Sequence, residues 1–168
     1  HDGRELTQTE RRHTTGCVPQ DFAFYQELTP RQNLDYFGAM YNLSSKKVVQ
    51  RREELLDVLG LSRFGDQKVG TFSGGMKRRV NLAIGIIHEP RILFLDEPTL
   101  GLDVLARHEL WDVIRSLKGK ITIILTTHYM EEAEALSDRI GIMRNGRLLA
   151  IGTVEEINRK AGTNDFEK

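Results

Sequence analysis

Two short apolar runs constrain the fold most: RILFLDEP (residues 91–98) and ITIILTTH (residues 121–128). Each is a stretch of large apolar residues that meets polar ones at its end. Strands that read apolar at successive positions are buried on both faces. Between the runs, Leu110, Val113, Ile114 and Leu117 recur at helical spacing. Such strands alternating with helices imply an α/β fold: a mostly parallel sheet covered by helices on both faces. TTGCVPQ (residues 14–20) reads as a further short strand, stopped by Pro19.

The segment before the middle of the chain is different. TQTERRH (residues 7–13) reads as a surface loop or helix. LTPRQNLDYFGAMY (residues 28–41) is a helix with Thr29 as cap, Pro30 at its first position and Gln32 completing a capping box. SSKKVVQRREELLDVLGL (residues 44–61) is a second helix, capped by Ser44 or Ser45 and ended by Gly60. GGMKRRVNLAIGIIH (residues 74–88) is a third, with Met76, Val80, Ala83, Ile84 and Ile87 on one face. EEAEALSD (residues 131–138) is a short helix. Asn145-Gly146 between two apolar runs signals a hairpin, and Thr153 with Glu156 forms a capping box for a last helix. The expected organisation is an α/β core from residues 1–29 and 71–152, interrupted by an all-helical insert at 30–70. A C-terminal helix and tail at 153–168 follow.

Lys plus Arg equals Asp plus Glu, 24 each, so no basic surface for nucleic acid is expected. The apolar runs are too short to cross a bilayer. The single Cys17 allows no internal disulfide and fits a reducing compartment. A first residue other than Met, with no secretory signal, is expected of a piece of a longer chain.

Four stretches carry chemistry. ILFLDEP delivers Asp96 and Glu97 at the C-terminal end of a strand, the edge where open α/β sheets bind ligands. Asp96 can hold Mg²⁺, which prefers hard oxygen ligands, and Glu97 can polarise a water. The alternative is a strand that ends in surface acids. His128 follows the next strand and can reach a phosphate from the same edge, or be plain polar surface. In FSGGM (residues 72–76) the glycines admit close approach, and the helix start offers free N–H groups to an anion. A serine cap on a glycine-rich turn is the other reading. In CVPQDFAFYQEL, Gln20 ends a strand and can contact a metal ion or water. The aromatics after it, Phe22, Phe24 and Tyr25, are either core or a partner patch.

Taken in order, Gln20, Ser73-Gly74-Gly75, Asp96-Glu97, Asp103 and His128 strongly resemble the ATPase subunit of ATP-binding cassette (ABC) transporters. FSGGM is similar to the family signature, ILFLDEP to the second Walker motif, LGLD to the loop after it, and His128 to the switch histidine. FSGGMKRRVNLA and LTTHYMEEAEALSDRI look most like exporters of drugs, antibiotics and polysaccharides. The resemblance implies a P-loop NTPase-type (RecA-like) fold with ATP and Mg²⁺ as cofactors. It implies that Asp96 helps hold Mg²⁺, Glu97 acts on the attacking water and His128 contacts the γ-phosphate. Gln20 would sense the metal and couple to the membrane subunit, and Asp103 would lie at the contact between two ATPase domains. Ser73, Gly74 and Gly75 would face ATP held by the partner domain. A transmembrane permease would dock around Phe22 to Leu28, at the cytoplasmic face of the membrane.

Two departures stand out. Position 76 is Met where the signature usually has Gln; Met76 also suits the apolar helix face. More importantly, no glycine-rich turn in the 168 residues closes on Gly-Lys-Ser or Gly-Lys-Thr; the only Gly-Lys pair, Gly119-Lys120, precedes Ile121. The first strands and the P-loop are therefore expected to be missing, and this piece alone is expected to bind ATP poorly and not hydrolyse it. Alternatives are a non-catalytic cassette that contributes only Ser73–Gly75 to a partner's site, and a soluble cassette protein outside transport.

Overall fold

The computed structural model describes residues 5–161. The polypeptide forms two compact units, the first running to Thr126 and the second starting at Thr127.

In the first unit, helix α1 (Gln8–Thr14) leads into strand β1 (Thr15–Val18). Thr7 and Glu10 close a capping box around the start of α1, which settles the loop-or-helix alternative for this stretch. Helices α2 (Pro30–Met40) and α3 (Ser45–Val58) follow, then 3-10 turns at Ser62–Phe64 and Val69–Thr71. Helix α4 (Gly74–Ile86), strand β2 (Ile92–Asp96), helix α5 (Val104–Leu117) and strand β3 (Thr122–Thr126) complete the unit. The expected caps are present: Thr29 with Gln32 on α2 and Ser44 on α3. Residues 30–71 contain no strand. Arg31 bridges Glu53 and Asp66, and Arg52 bridges Asp35 and Glu53, tying α2 to α3.

The three strands are parallel, in the order β1-β2-β3. Register places Gly16, Leu93 and Ile123 in one row, Cys17, Phe94 and Ile124 in the next, and Val18, Leu95 and Leu125 in a third. Adjacent rows face opposite sides of the sheet. The first and third rows lie on the α4 side, where Val18, Leu93 and Leu95 are at most 2% exposed. A Cβ on Gly85 of α4 would stand 2.5 Å from Val18 Cγ2, and one on Gly16 would collide with the Gly85 carbonyl. Glycine at both positions lets helix and strand touch.

The middle row corrects the expectation of a sheet covered on both faces. Phe94 is 41% and Ile124 46% exposed, and Cys17 is exposed as well. No described element seals this face, although its residues are apolar enough to be core.

Two helix faces also differ from their sequence reading. Helix α4 is buried nearly all round, through Leu82, Gly85 and Ile86 as well as Val80, Ala83 and Ile84, while Met76 is only half-buried. On α5, Trp111 joins Leu110, Ile114 and Leu117 in the core, and Val113 lies at its rim.

The second unit contains helix α6 (Met130–Leu136), strands β4 (Ile140–Arg144) and β5 (Arg147–Gly152), and helix α7 (Val154–Ala161). The strands form an antiparallel hairpin about Asn145 and Gly146, at φ 52° and 73°, the left-handed pair that a two-residue hairpin turn needs. Thr153 and Glu156 exchange the capping-box hydrogen bonds at the start of α7.

Candidate functional site

Parallel strands present their C-terminal ends to one edge, so β1, β2 and β3 carry Gln20, Asp96-Glu97 and Thr126 toward the same side of the sheet. Asp96 is the last residue of β2, and its Oδ1 accepts a hydrogen bond from Thr126 Oγ1 on β3. Glu97 extends the ladder by one step: its N–H donates to the Thr126 carbonyl at 3.1 Å. Its φ is +47°, a left-handed conformation that costs a non-glycine residue about 1–3 kcal/mol. The neighbouring turn supports it, because Leu100 N–H donates to the Glu97 carbonyl at 3.1 Å.

The helix start that opens FSGGM combines both readings of that sequence. Ser73 is the N-cap of α4, and its Oγ accepts from the Met76 N–H at 3.3 Å. Its two glycines differ. A Cβ on Gly75 would press on Ala106 Cβ at 3.0 Å, so glycine here lets α4 pack closely on α5. Gly74 is exposed and has ordinary room, with Leu102 Cδ2 at 3.5 Å. Ser73 and Gly74 thus present an accessible helix N-terminus, where partial positive charge favours an anion. Asp103 lies beside them as the N-cap of α5, its carboxylate accepting from the Ala106 N–H at 2.9 Å. The structure therefore brings the Ser73–Gly75 stretch and the start of α5 into contact, a juxtaposition that sequence spacing did not indicate.

Gln20 is exposed just beyond β1, and the segment after it is pinned at several points. Arg78 Nη1 donates to the Gln20 carbonyl at 2.5 Å. Asn81 Nδ2 donates to the Pro19 carbonyl, and its Oδ1 accepts from the Ala23 N–H at 3.0 Å. Asn33 of α2 accepts from the Tyr25 N–H and donates to the Tyr25 and Thr29 carbonyls. All three side chains are buried: Asn33 at 0%, Asn81 at 1% and Arg78 at 6% exposure. Sequence reading passed over them. Their signal was polar residues at the buried positions of otherwise apolar helices, where a polar group requires a hydrogen-bonding partner.

Because this backbone is tied down, its aromatic side chains stay outside. Phe22 stacks on Phe24 at 5.1 Å, and Tyr25 meets Tyr36 edge-on at 5.0 Å. Phe22, Tyr25, Tyr36 and Met40 are all more than a third exposed, so most of this patch is surface and not core. His128 belongs to the second unit, where it is exposed and its ring lies 4.0 Å from that of Tyr129.

The donors at the edge suit a magnesium nucleotide in kind. Asp96 and Gln20 supply hard oxygens, but far fewer than the roughly six that Mg²⁺ requires, so water and phosphate must furnish the rest. Among the described residues no cluster of three or more His, Cys, Asp or Glu forms a self-sufficient metal site. A cavity of about 460 Å³ between α3 and α5, bordered by Arg51, Val58 and Lys120, contains none of these residues. The candidate site is an open edge that needs other groups to close it.

Comparison with known proteins agrees with this geometry. A family model described as "ABC transporter" matches residues 1–100. The linearmycin resistance ATP-binding protein LnrL of Bacillus subtilis is 40% identical over 161 residues, 95% of this chain and 51% of the relative. The daunorubicin resistance ATP-binding protein DrrA3 of Streptomyces coeruleorubidus is 45% identical over 148 residues, 88% of this chain and 47% of the relative. A solved structure of an ATP-binding subunit of an ABC transporter superposes with a TM-score of 0.80 at 33% identity, covering 97% of this chain and 69% of the other. The chain spans about half the length of the curated relatives it matches.

Proposed function

The chain belongs to the ABC transporter family, and from that premise we propose that it forms part of the ATP-hydrolysing subunit of an exporter of drug-like or antibiotic compounds. The observation that carries this reading is the shared sheet edge: adjacent parallel strands β1 and β2 lead to Gln20 and to Asp96-Glu97, with Glu97 held in a left-handed turn. Two ATPase domains, identical or not, would close on ATP. Ser73, Gly74 and Gly75 of one domain would offer helix N–H groups and a hydroxyl to the γ-phosphate of ATP held by the other. Asp96 and Gln20 would hold Mg²⁺, which when bound neutralises developing phosphate charge. Glu97 would orient the attacking water, His128 would donate to the γ-phosphate, and Asp103 would meet the opposite domain. Residues 30–70 would form a helical subdomain and 1–29 with 71–152 the α/β portions, followed by the last helix; the expected tail at 162–168 lies outside the described residues. The exposed aromatics between Phe22 and Leu28 would be the permease contact, with the subunit at the cytoplasmic face of a membrane. Among the described residues no helix is long and apolar enough to cross one.

The phosphate cradle is absent from these 168 residues, so in this reading it would be supplied by a segment outside them. The partly exposed Cys17-Phe94-Ile124 face is consistent with this, since a helix packed on it would complete a doubly covered sheet. ATP hydrolysis by the full-length protein tests the reading. Glu97→Gln should lower kcat by roughly 10²–10⁴-fold, the usual contribution of a positioned base. The 168-residue chain alone should show no rate. A rate from that chain, abolished by Glu97→Gln, would overturn the part of the reading that concerns the cradle. Loss of activity in Ser73→Arg but not in Glu97→Gln would favour a non-catalytic cassette acting only through its helix start.

A further inference from the structure

Arg78 is a buried cation without an acidic partner among the described ion pairs. Its guanidinium spends its hydrogen bonds on two backbone carbonyls from separate loops: Gln20 at 2.5 Å through Nη1 and Leu100 at 3.4 Å through Nη2. The Phe22 ring covers it, with the centroid 4.9 Å from Cζ. Burial pushes its pKa down, against the pull of the Asp21 charge, so the position is electrostatically costly. A side chain kept at such a cost has to do something that an apolar residue cannot. Here it is the fork: only a planar guanidinium reaches two diverging carbonyls at once.

Both loops matter to the reading above, on which this inference rests. One starts with Gln20 and continues into the aromatic segment. The other runs from Glu97 to Asp103, and Leu100, whose carbonyl Arg78 holds, is also the residue whose N–H grips the Glu97 carbonyl. Arg78 therefore acts on the Glu97 turn through a single residue. Asn81, three positions further along α4, holds Pro19 and Ala23 from the next turn of the helix. Helix α4 itself begins at Ser73-Gly74.

We propose that Arg78 is a positioning residue that locks the Gln20 segment and the Glu97–Asp103 loop to one helix. Movement at the Ser73–Gly75 end of α4 and movement at either loop are then one motion. No step of chemistry passes through Arg78 itself.

The test uses the full-length protein and two variants, Arg78→Met and Arg78→Lys, with hydrogen exchange and ATP kinetics as readouts. In Arg78→Met, amides in residues 19–25 and 97–103 should exchange about tenfold faster, the weight of a lost hydrogen bond to a charged group. Amides of β2 and of the middle of α4 should be unchanged. kcat should fall by roughly 10²-fold with little change in KM, as expected when a catalytic group is displaced by about an ångström. Arg78→Lys retains charge and stem but not the fork, so it should re-protect at most one of the two segments. If Arg78→Met loosens the whole domain, the segment pattern in Arg78→Lys decides. Unchanged exchange in both segments, or faster exchange with kcat intact, would overturn the proposal. A wild-type protein that hydrolyses no ATP would defeat the functional reading instead, and exchange in the two segments would then judge the clamp alone.

Discussion

The two faces of the β1-β2-β3 sheet both carry large apolar residues and have opposite fates, the less covered one also bearing Thr15, Thr122, Asp96 and Thr126. On the α4 side, Leu93 is 0% and Leu95 1% exposed, and helix and strand meet glycine to glycine at Gly85 and Gly16. On the other side, Phe94 and Ile124 are nearly half exposed. Full burial of one large apolar side chain is worth about 1.5–3 kcal/mol, so much of that stabilisation is unrealised on the bare face. Large apolar strand residues thus form a core only where another element arrives to meet them.

The largest effect that can break this contrast is Leu93→Ala. On the covered face it should cost about 2–5 kcal/mol in the 168-residue chain, read from its urea midpoint. A loss below that of a surface substitution would mean that α4 is not the core layer described here.

A smaller, pH-dependent effect sharpens the same side. His88, just beyond α4, is 8% exposed, stacked on Tyr41 at 3.7 Å and bonded to the Thr15 carbonyl at 3.0 Å through Nε2. Burial, only partly offset by that carbonyl, holds its pKa below the ordinary value, with His13 and Arg12 pushing the same way. The unfolded chain therefore takes up the proton first. Stability should be full above about pH 6.5 and fall as pH drops from there toward the folded-state pKa. Unfolding midpoints followed from pH 7.5 to 5 should show that decline, and His88→Gln should flatten it. A decline equally steep in the variant would assign it to other groups.

The smallest effect belongs to the bare face. Phe94→Ser should cost this chain about 1 kcal/mol, well below Leu93→Ala, because only part of the ring is buried. In the full-length protein the same change should cost as much as a core deletion, if the face is covered there. Maleimide should label the exposed Cys17 quickly in the short chain and slowly in the long one. Equal labelling in both would leave the face bare and remove the support it lends to a cradle supplied from elsewhere.

Local signals were legible in advance. The capping boxes at Thr29-Gln32 and Thr153-Glu156, the Ser73 cap, the Asn145-Gly146 hairpin and the strand character of ILFLDEP and ITIILTTH all depend on residues a few positions apart. The motif residues could be named too, because each stands at the end of a strand or the start of a helix. Arg78, Asn81 and Asn33 could not, since their partners lie 58, 62 and 8 residues away and are backbone atoms without identity in the sequence.

Sequence alone determined the element types, their caps and the family pattern, since periodicity and turn chemistry are properties of neighbours along the chain. Which apolar row became core, why Gly75 packs tightly on α5 while Gly74 has room, and what a buried arginine holds were decided by tertiary structure. Burial and backbone hydrogen bonding depend on what comes from elsewhere in the chain to occupy the space, and no local pattern encodes that.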